Sequence, residues 1–448
     1  MYPKGMRAMS SYLESRGGEF SEVGLFGVKA LVDRLNVPFT KADIDECATD
    51  FAEIFGTESI FDRSAFNYIL SIYRGKFPVE IKALPEGQFV PVKNAILTIE
   101  SVDANVPWVA NYLETIISHL WYPSTVMTRS REMKKIIYGY LEKTGDIGGI
   151  DYKLHDFGFR GATGIEAAAI GGAAHLMNFR GSDTAVAIKH LKQYYGVKTG
   201  GQVCNSIPAS EHSTITSWGG PEHEMEAVEN IVDRFSNLPG IFAYACVADS
   251  YDVFNFCRQI SSGRLKEKIQ SGRNTFVVRP DSGDPVAVSM ECLKLLGDAV
   301  GYETNFKGYK VLHPKYRMIY GDGMNRVSIN DLYGAMEEAG WSADNMAVGM
   351  GAGLLQKLDR DTQKFAIKCS SIRVGDEDRD VFKNPITDPG KASKKGRLKL
   401  VVTGEGKIET VREGTAGENL LQTVYHPVVD VRYEPSFQDI KKRAELKI

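Results

Sequence analysis

At 448 residues the chain is long for a single core, and its 43% hydrophobic and 25% charged residues are the balance of a water-soluble globular protein. A formal net charge of −3 speaks against an electrostatic nucleic-acid binder, no apolar run approaches the roughly eighteen residues of a membrane span, and the start "MYPKGMRAMSS" lacks the apolar core of a secretion signal. The six cysteines (Cys47, Cys204, Cys246, Cys257, Cys292, Cys369) are scattered without metal-type spacing and read as reduced thiols, so the expectation is a cytoplasmic α/β protein with no nucleic-acid or membrane partner.

Residues 1–145 mix helical stretches such as "SREMKKIIYGYLEKTG" with strand-like pieces such as "NAILTIES". From about residue 150 a rhythm sets in, with short apolar runs alternating with helix-like segments. The runs are "YKLHDFG", "HLMNF", "QVCNSI", "IFAYACVAD", "TFVVRPD", "YRMIYGDG", "NMAVGMGAG" and "KFAIKCSS". Helices are expected from Asp183 to Gly196 and from Ser328 to Gly340, with Asp183 and Ser328 as N-caps and the glycines as stops. Strands alternating with helices imply parallel strands and right-handed crossovers. About eight such units would close a barrel, and an open doubly wound sheet is the competing arrangement. After Val374 the chain turns basic and turn-rich, then strand-like at "LVVTGEGKIETVREG". The division expected is an α/β unit over 146–371 and a second α+β domain built from both chain ends, 1–145 and 372–448.

In either parallel architecture the carboxyl ends of the strands share one face, where ligands bind. Several expected tips carry charge or glycine: Asp249, Arg279 with Asp281, Asp322 between Gly321 and Gly323, and Gly349, Gly351 and Gly353. The glycine turn before "LLQKL" fits a phosphate cradle, with Arg360 and Lys368 as countercharge or as a solvated helix face. Ionised Asp281 and Asp322 only accept hydrogen bonds and suit sugar hydroxyls; singly, each fits a turn or cap better, and only the joint pattern over several tips favours a site. Phe157 and Phe159 fall on one side if their strand continues that far, and an aromatic there suits a flat ring, although a core Phe is the commoner outcome. Asp183 would accept from an amide and repel a carboxylate, or cap a helix. His212, beside Glu211, is the side chain that most easily changes charge near neutrality, although a lone His is more often structural.

The motifs "YKLHDFGFRG", "HLMNFRGSDT", "PASEHSTIT-WG", "VADSYD", "RPDSG-P", "YGDG", "GLLQKL-RD" and "NPITDP-K-SKKGRL" resemble, in one order along nearly the whole chain, the nicotinamide phosphoribosyltransferase family of type II phosphoribosyltransferases. The resemblance implies an irregular parallel α/β barrel with a second α+β domain, working as a homodimer with shared active sites. It implies joining nicotinamide to phosphoribosyl pyrophosphate for NAD salvage, with Mg2+ bound through pyrophosphate and ATP as a coupled co-substrate. Carried over by resemblance, Phe157 stacks on the pyridine ring with Arg160 beside it, and Asp183 reads the carboxamide. Asp281, Gly321 and Asp322 hold the ribose. Gly351 and Ala352 meet the 5′-phosphate, which Arg360 and Lys368 reach across the dimer. Arg279, Asp249, Lys383, Lys391 and Arg16 surround the pyrophosphate, and His212 matches the family's phosphorylated histidine. Three departures are visible. A family "DSYK…H" segment that ordinarily precedes Tyr2 and Pro3 is not seen. A family glycine is Ala352, expected to be strained at positive φ, and a family serine is Ala366. The alternatives are a nicotinate phosphoribosyltransferase, or, from the missing segment, a nucleotide-binding relative deficient in turnover.

Overall fold

The computed structural model describes residues 2–200 and 202–446. One unit runs from Arg129 to His190 and from Lys198 to Leu358; the other runs from the N-terminus to Thr128 and takes in Leu191–Val197 and Asp359–Glu445. The cuts thus fall earlier than the expected 145/146 and 371/372. The strand Phe365–Val374, expected in the barrel as "KFAIKCSS", instead pairs antiparallel with Met6–Ser15. Its apolar alternation suits either partner, and only the pairing decides.

The first unit is built on five strands: β1 (Leu154–Asp156), β2 (Ala243–Val247), β3 (Thr275–Arg279), β4 (Tyr316–Tyr320) and β5 (Met346–Met350). They lie side by side in the order β1-β5-β4-β3-β2, every neighbouring pair parallel. Parallel strands carry helices and are buried on both faces, and all five residues of β2 are buried. Ala243, Ala245, Val277 and Ile319 cluster with Phe157, Ile207 and Ala347 on one side of the sheet. On the other, Tyr244 meets the ring of Phe276 edge-on at 5.4 Å.

Beyond the two edge strands the ladder thins to single parallel bridges, Asp156 to Ser182, Gly181 to Asn205 and Ala209 to Ala245. Two extended segments thereby carry the curled sheet from β1 round to β2. The result is an α/β fold with a curled parallel sheet of five strands and two single-bridge staves, fewer than the eight regular units expected.

Two expected elements move. The run "HLMNF" is no strand: His175 ends the helix Ile165–His175, its ring between the Ser130 hydroxyl at 2.9 Å and the Gly181 carbonyl at 3.0 Å. The next helix begins at Val186, so Asp183 is not its cap. The helix Arg326–Glu338 is capped by Asn325, with Ser328 three residues in as the reciprocal partner of the capping box. After β3, Asp284 accepts from the Ala287 amide and Pro285 opens the helix Pro285–Val300, which explains the abrupt "PDSGDP".

The second unit is centred on a six-stranded antiparallel sheet in the order Glu377–Asp380, Phe365–Val374, Met6–Ser15, Ala95–Ser101, Val79–Ala83, Gln422–Tyr425. Strands from both chain ends share it, and Leu13, Ile81, Leu97 and Ile99 lie in its core.

Candidate active site

The carboxyl ends of β1, β3, β4 and β5 and the segments that follow the two staves surround a cavity of about 560 Å3, within the range that takes a small-molecule substrate. Each tip contributes something different. β1 ends at Asp156, so Phe157 and Phe159 do not share a continuing strand, yet both line the cavity with Arg160. β3 delivers Arg279 and Asp281, β4 delivers Gly321 and Asp322, and the turn after β5 delivers Gly351 and Ala352. Asp183 and His212 come from the bridged segments and the short helix that follows them.

The Phe157 ring lies against bare backbone. A Cβ on Gly349 would fall 2.0 Å from Phe157 Cε2, and one on Gly321 would fall 3.2 Å from the same atom and 3.2 Å from Asp281 Oδ1. Glycine near the ends of β4 and β5 is what allows the aromatic ring to approach the strand backbone this closely. Phe157 N–H donates to the Met350 carbonyl at 3.1 Å, fixing its backbone to β5. Beneath it, buried Asp156 accepts from Gly158 N–H at 2.7 Å, and its backbone carbonyl accepts from Asp183 N–H at 2.9 Å. Burial pushes the Asp156 carboxyl up to about 6.

Asp183 accepts a short hydrogen bond from the Ser206 hydroxyl, and its exposed carboxylate lines the cavity instead of capping the helix that begins at Val186. His212 Nε2 is 3.0 Å from Asp249 Oδ1. Asp249 is not in the cavity wall itself but stands behind His212, with only 8% of its side chain exposed against 46% for the ring. Asp281 has its carboxyl raised above the usual aspartate range, by burial first and by repulsion from Asp249 and Asp322, while Arg279 and His212 pull it down.

Ala352 sits in the helical turn Ala352–Leu355 and not among the residues at positive φ, so the expected strain is absent there. The other expected residues belong to the second unit. There Lys368 is partly buried, and its ammonium is destabilised by burial and by the charges of Arg16, Lys383 and Arg360, with Glu114 opposing. Arg16 is paired with Glu14 at 3.0 Å and Arg360 with Asp361 at 3.2 Å. Lys391 pairs with Asp388 at 3.0 Å, and Ala366 is buried in the strand Phe365–Val374. Three cavity residues escaped the sequence reading: Gly161, Met324 and Lys357. Lys357 had a usable signal, a cation directly after a glycine turn, but the more distant Arg360 and Lys368 took that place.

A curled parallel α/β sheet whose carboxyl face gathers a glycine turn, the acids Asp183, Asp281 and Asp322 and the Phe157 ring round one cavity is the architecture of an enzyme with a small-molecule site at its strand tips. The model of the nicotinate phosphoribosyltransferase family matches residues 152–427, and the chain belongs to that family. Residues 1–81 match the N-terminal domain of nicotinamide phosphoribosyltransferase. Within the family, the chain is 45% identical to the nicotinamide phosphoribosyltransferase of Xanthomonas campestris over 403 residues, 89% of this chain and 84% of that protein. It is 33% identical to the enzyme of the same name from Acinetobacter baylyi, over 78% of this chain and 73% of that protein. A nicotinate-nucleotide pyrophosphorylase from Pyrococcus furiosus shares the fold at 14% identity, with a TM-score of 0.59 over 99% of this chain and 91% of that one.

Proposed function

We infer that the chain is a pentosyltransferase joining nicotinamide to phosphoribosyl pyrophosphate, with release of pyrophosphate and formation of nicotinamide mononucleotide. The observation that carries the reading is the convergence of Phe157, Asp183, Asp281 and Gly351 on one cavity at the strand tips. The pyridine nitrogen attacks the anomeric carbon as that carbon's bond to pyrophosphate oxygen breaks; the electron pair leaves with pyrophosphate and no proton moves. The transition state resembles an oxocarbenium ion, so positioning and electrostatics dominate. Phe157 stacks on the base with Arg160 beside it, Asp281 and Asp322 accept from the ribose hydroxyls beside Gly321, and Gly351 and Ala352 offer amides to the 5′-phosphate. Arg279 faces the departing pyrophosphate.

Mg2+ fits as an ion carried by the substrate. Among the described residues no group of three or more His, Cys, Asp or Glu side chains could cage a metal, while Asp281 in the cavity wall offers hard oxygens beside Arg279. Bound to pyrophosphate, the ion would neutralise charge on the leaving group.

Asp183 sets the preference for the amide. Held by Ser206, its carboxylate accepts from a carboxamide N–H2 and repels the carboxylate of nicotinate. Asp183→Ser is expected to narrow the ratio of kcat/KM for nicotinamide over nicotinate by about 10-fold or more, the worth of one charge-assisted hydrogen bond. Steady-state rates with both bases test this, and equal use of the two by the unaltered enzyme would overturn the reading in favour of a nicotinate enzyme.

His212 is the site of ATP coupling. Its Nε2 faces Asp249, which leaves Nδ1 to take the terminal phosphoryl group: the N–P bond forms, the P–O bond to ADP breaks, and Asp249 stabilises the resulting cationic ring. Labelled ATP is expected to leave an acid-labile phosphoryl group that is missing in His212→Ala; a label persisting in that variant excludes the assignment. The cations Arg16, Arg360, Lys368 and Lys383 suit an anion; we assign them, with Lys391, to the phosphates of a second copy's site in a cytoplasmic homodimer. No helix among the described residues is long and apolar enough to cross a membrane.

A further inference from the structure

The glycine turn after β5 has a cation of its own, and a second, buried cation holds it there. Lys357 lines the cavity together with Gly351, Ala352 and Gly353. Its backbone N–H donates to the Ala352 carbonyl at 2.7 Å, which folds residues 352–357 back on themselves and returns Lys357 to the glycine turn. Arg129, 8% exposed, fastens this fold. One guanidinium nitrogen, Nη1, donates to the Gly353 carbonyl at 2.7 Å and to the Lys357 carbonyl at 2.9 Å. A rigid guanidinium bridging both ends of a five-residue turn leaves little freedom in where the Lys357 side chain starts. Its ammonium has no hydrogen-bond or ion-pair partner among the described residues, whereas the carbonyls of Gly353 and Lys357 accept from Arg129 and those of Gly351, Ala352 and Gln356 from backbone amides.

The charge around the cavity explains what the free ammonium does. The wall carries four carboxylates, Asp183, Glu211, Asp281 and Asp322, against the guanidiniums of Arg160 and Arg279 and the ammonium of Lys357. Arg160 stands at the Phe157 end, and Arg279 leaves the tip of β3 beside Asp281. Neither sits on the glycine turn. The helix there, Ala352–Leu355, is a single turn, too short for aligned peptide dipoles to offset a dianion. Within this barrel, apart from any cation a second copy supplies, backbone amides alone would then face a phosphate in a wall rich in acids.

Building on the function proposed above, we propose that Lys357 is a binding residue for the 5′-phosphate of the phosphoribosyl substrate, supplied in cis by the same barrel, and that Arg129 is its positioning residue. Arg129 never meets the substrate; it sets the turn from which Lys357 reaches it.

The test is calorimetric binding of two separate fragments, ribose 5-phosphate and pyrophosphate, alongside steady-state kinetics. Lys357→Met is expected to weaken ribose 5-phosphate by about 10- to 100-fold, the span of a charge-assisted contact, and to leave pyrophosphate affinity unchanged. KM for phosphoribosyl pyrophosphate should rise with it, while KM for nicotinamide stays put. Lys357→Arg should recover most of the loss. Arg129→Met should reproduce the ribose 5-phosphate defect more weakly, with the same sparing of pyrophosphate. Unchanged ribose 5-phosphate binding in Lys357→Met, or a loss confined to pyrophosphate, overturns the assignment of Lys357. A Lys357→Met defect that Arg129→Met does not share overturns the positioning role. Failure of the unaltered protein to bind ribose 5-phosphate or to form nicotinamide mononucleotide would instead refute the underlying functional reading.

Discussion

The Gly349→Ala enzyme is expected to lose about 100-fold or more in kcat/KM for nicotinamide while folding normally. Gly349 lies inside β5 and is not at positive φ, so alanine is compatible with its backbone and, by restricting the unfolded chain, is mildly favourable there. The whole effect comes from one methyl group. Its carbon would stand 2.0 Å from Cε2, 2.3 Å from Cδ2 and 2.9 Å from Cζ of Phe157, far inside contact distance. The ring must swing off the strand tips or β5 must shift, and the Phe157 amide bond to Met350 makes the second course costly. A ring displaced by an ångström or more no longer forms the face on which the base is held for in-line attack, and misplacements of that size are worth about 100-fold. A double-mutant cycle gives the decisive reading. In a Phe157→Ala background, Gly349→Ala should cost little, because the group it displaces is already gone; additive losses would refute the claim that the glycine serves the ring. Ribose 5-phosphate affinity should be unmoved in both single variants.

This glycine also shows where sequence reasoning reached its limit. "NMAVGMGAG" announced a glycine-rich tip, and the phosphate-turn reading of Gly351 needed only local chemistry. That Gly349 exists for a ring 192 positions earlier depends on β5 lying beside β1, with Gly349 opposite His155, which no local pattern encodes. The same contrast runs through the fold. β2 and β3, with continuous apolar runs ending in charge, were legible because burial on both faces forces that composition. The stave at 181–182 was not, since a single bridge demands no periodicity, whereas the expected run "QVCNSI" overlaps the stave at 205–209. "HLMNF" misled because a short apolar run fits a buried helix end as well as a strand. Asp183 was legible as either a carboxylate for an amide or a helix cap; the helix start at Val186 and the hydrogen bond from Ser206, 23 residues on, remove the second.

Asp281→Asn is expected to lower kcat by about 100- to 1,000-fold, the cost of removing one preorganised electrostatic contact to a transition state. The amide keeps the size of the side chain and one acceptor oxygen, so binding of ribose 5-phosphate should weaken far less than turnover. What disappears is the negative charge beside a sugar carbon that becomes cationic as pyrophosphate departs. The acid limb of the rate profile supplies an independent check. Asp281 must be ionised to work, and its carboxyl is raised by burial, with Asp249 and Asp322 adding to the rise and Arg279 opposing it. The limb should therefore lie above the ordinary aspartate range of about 4, and Arg279→Gln, by removing the opposing charge, should move it to still higher pH in addition to slowing the reaction. A limb that stays fixed in Arg279→Gln would assign it to another group. Stability should change in the opposite sense to activity. A carboxyl raised on folding gives stability that is present below its unfolded pKa and is lost as pH rises through its folded value, so at neutral pH the native state carries the cost of ionised Asp281. Asp281→Asn removes that cost, and its Tm at pH 7 should equal or exceed that of the unaltered enzyme. A lower Tm at pH 7, together with retained turnover, would make Asp281 a structural acid and leave the sugar without its principal charge partner.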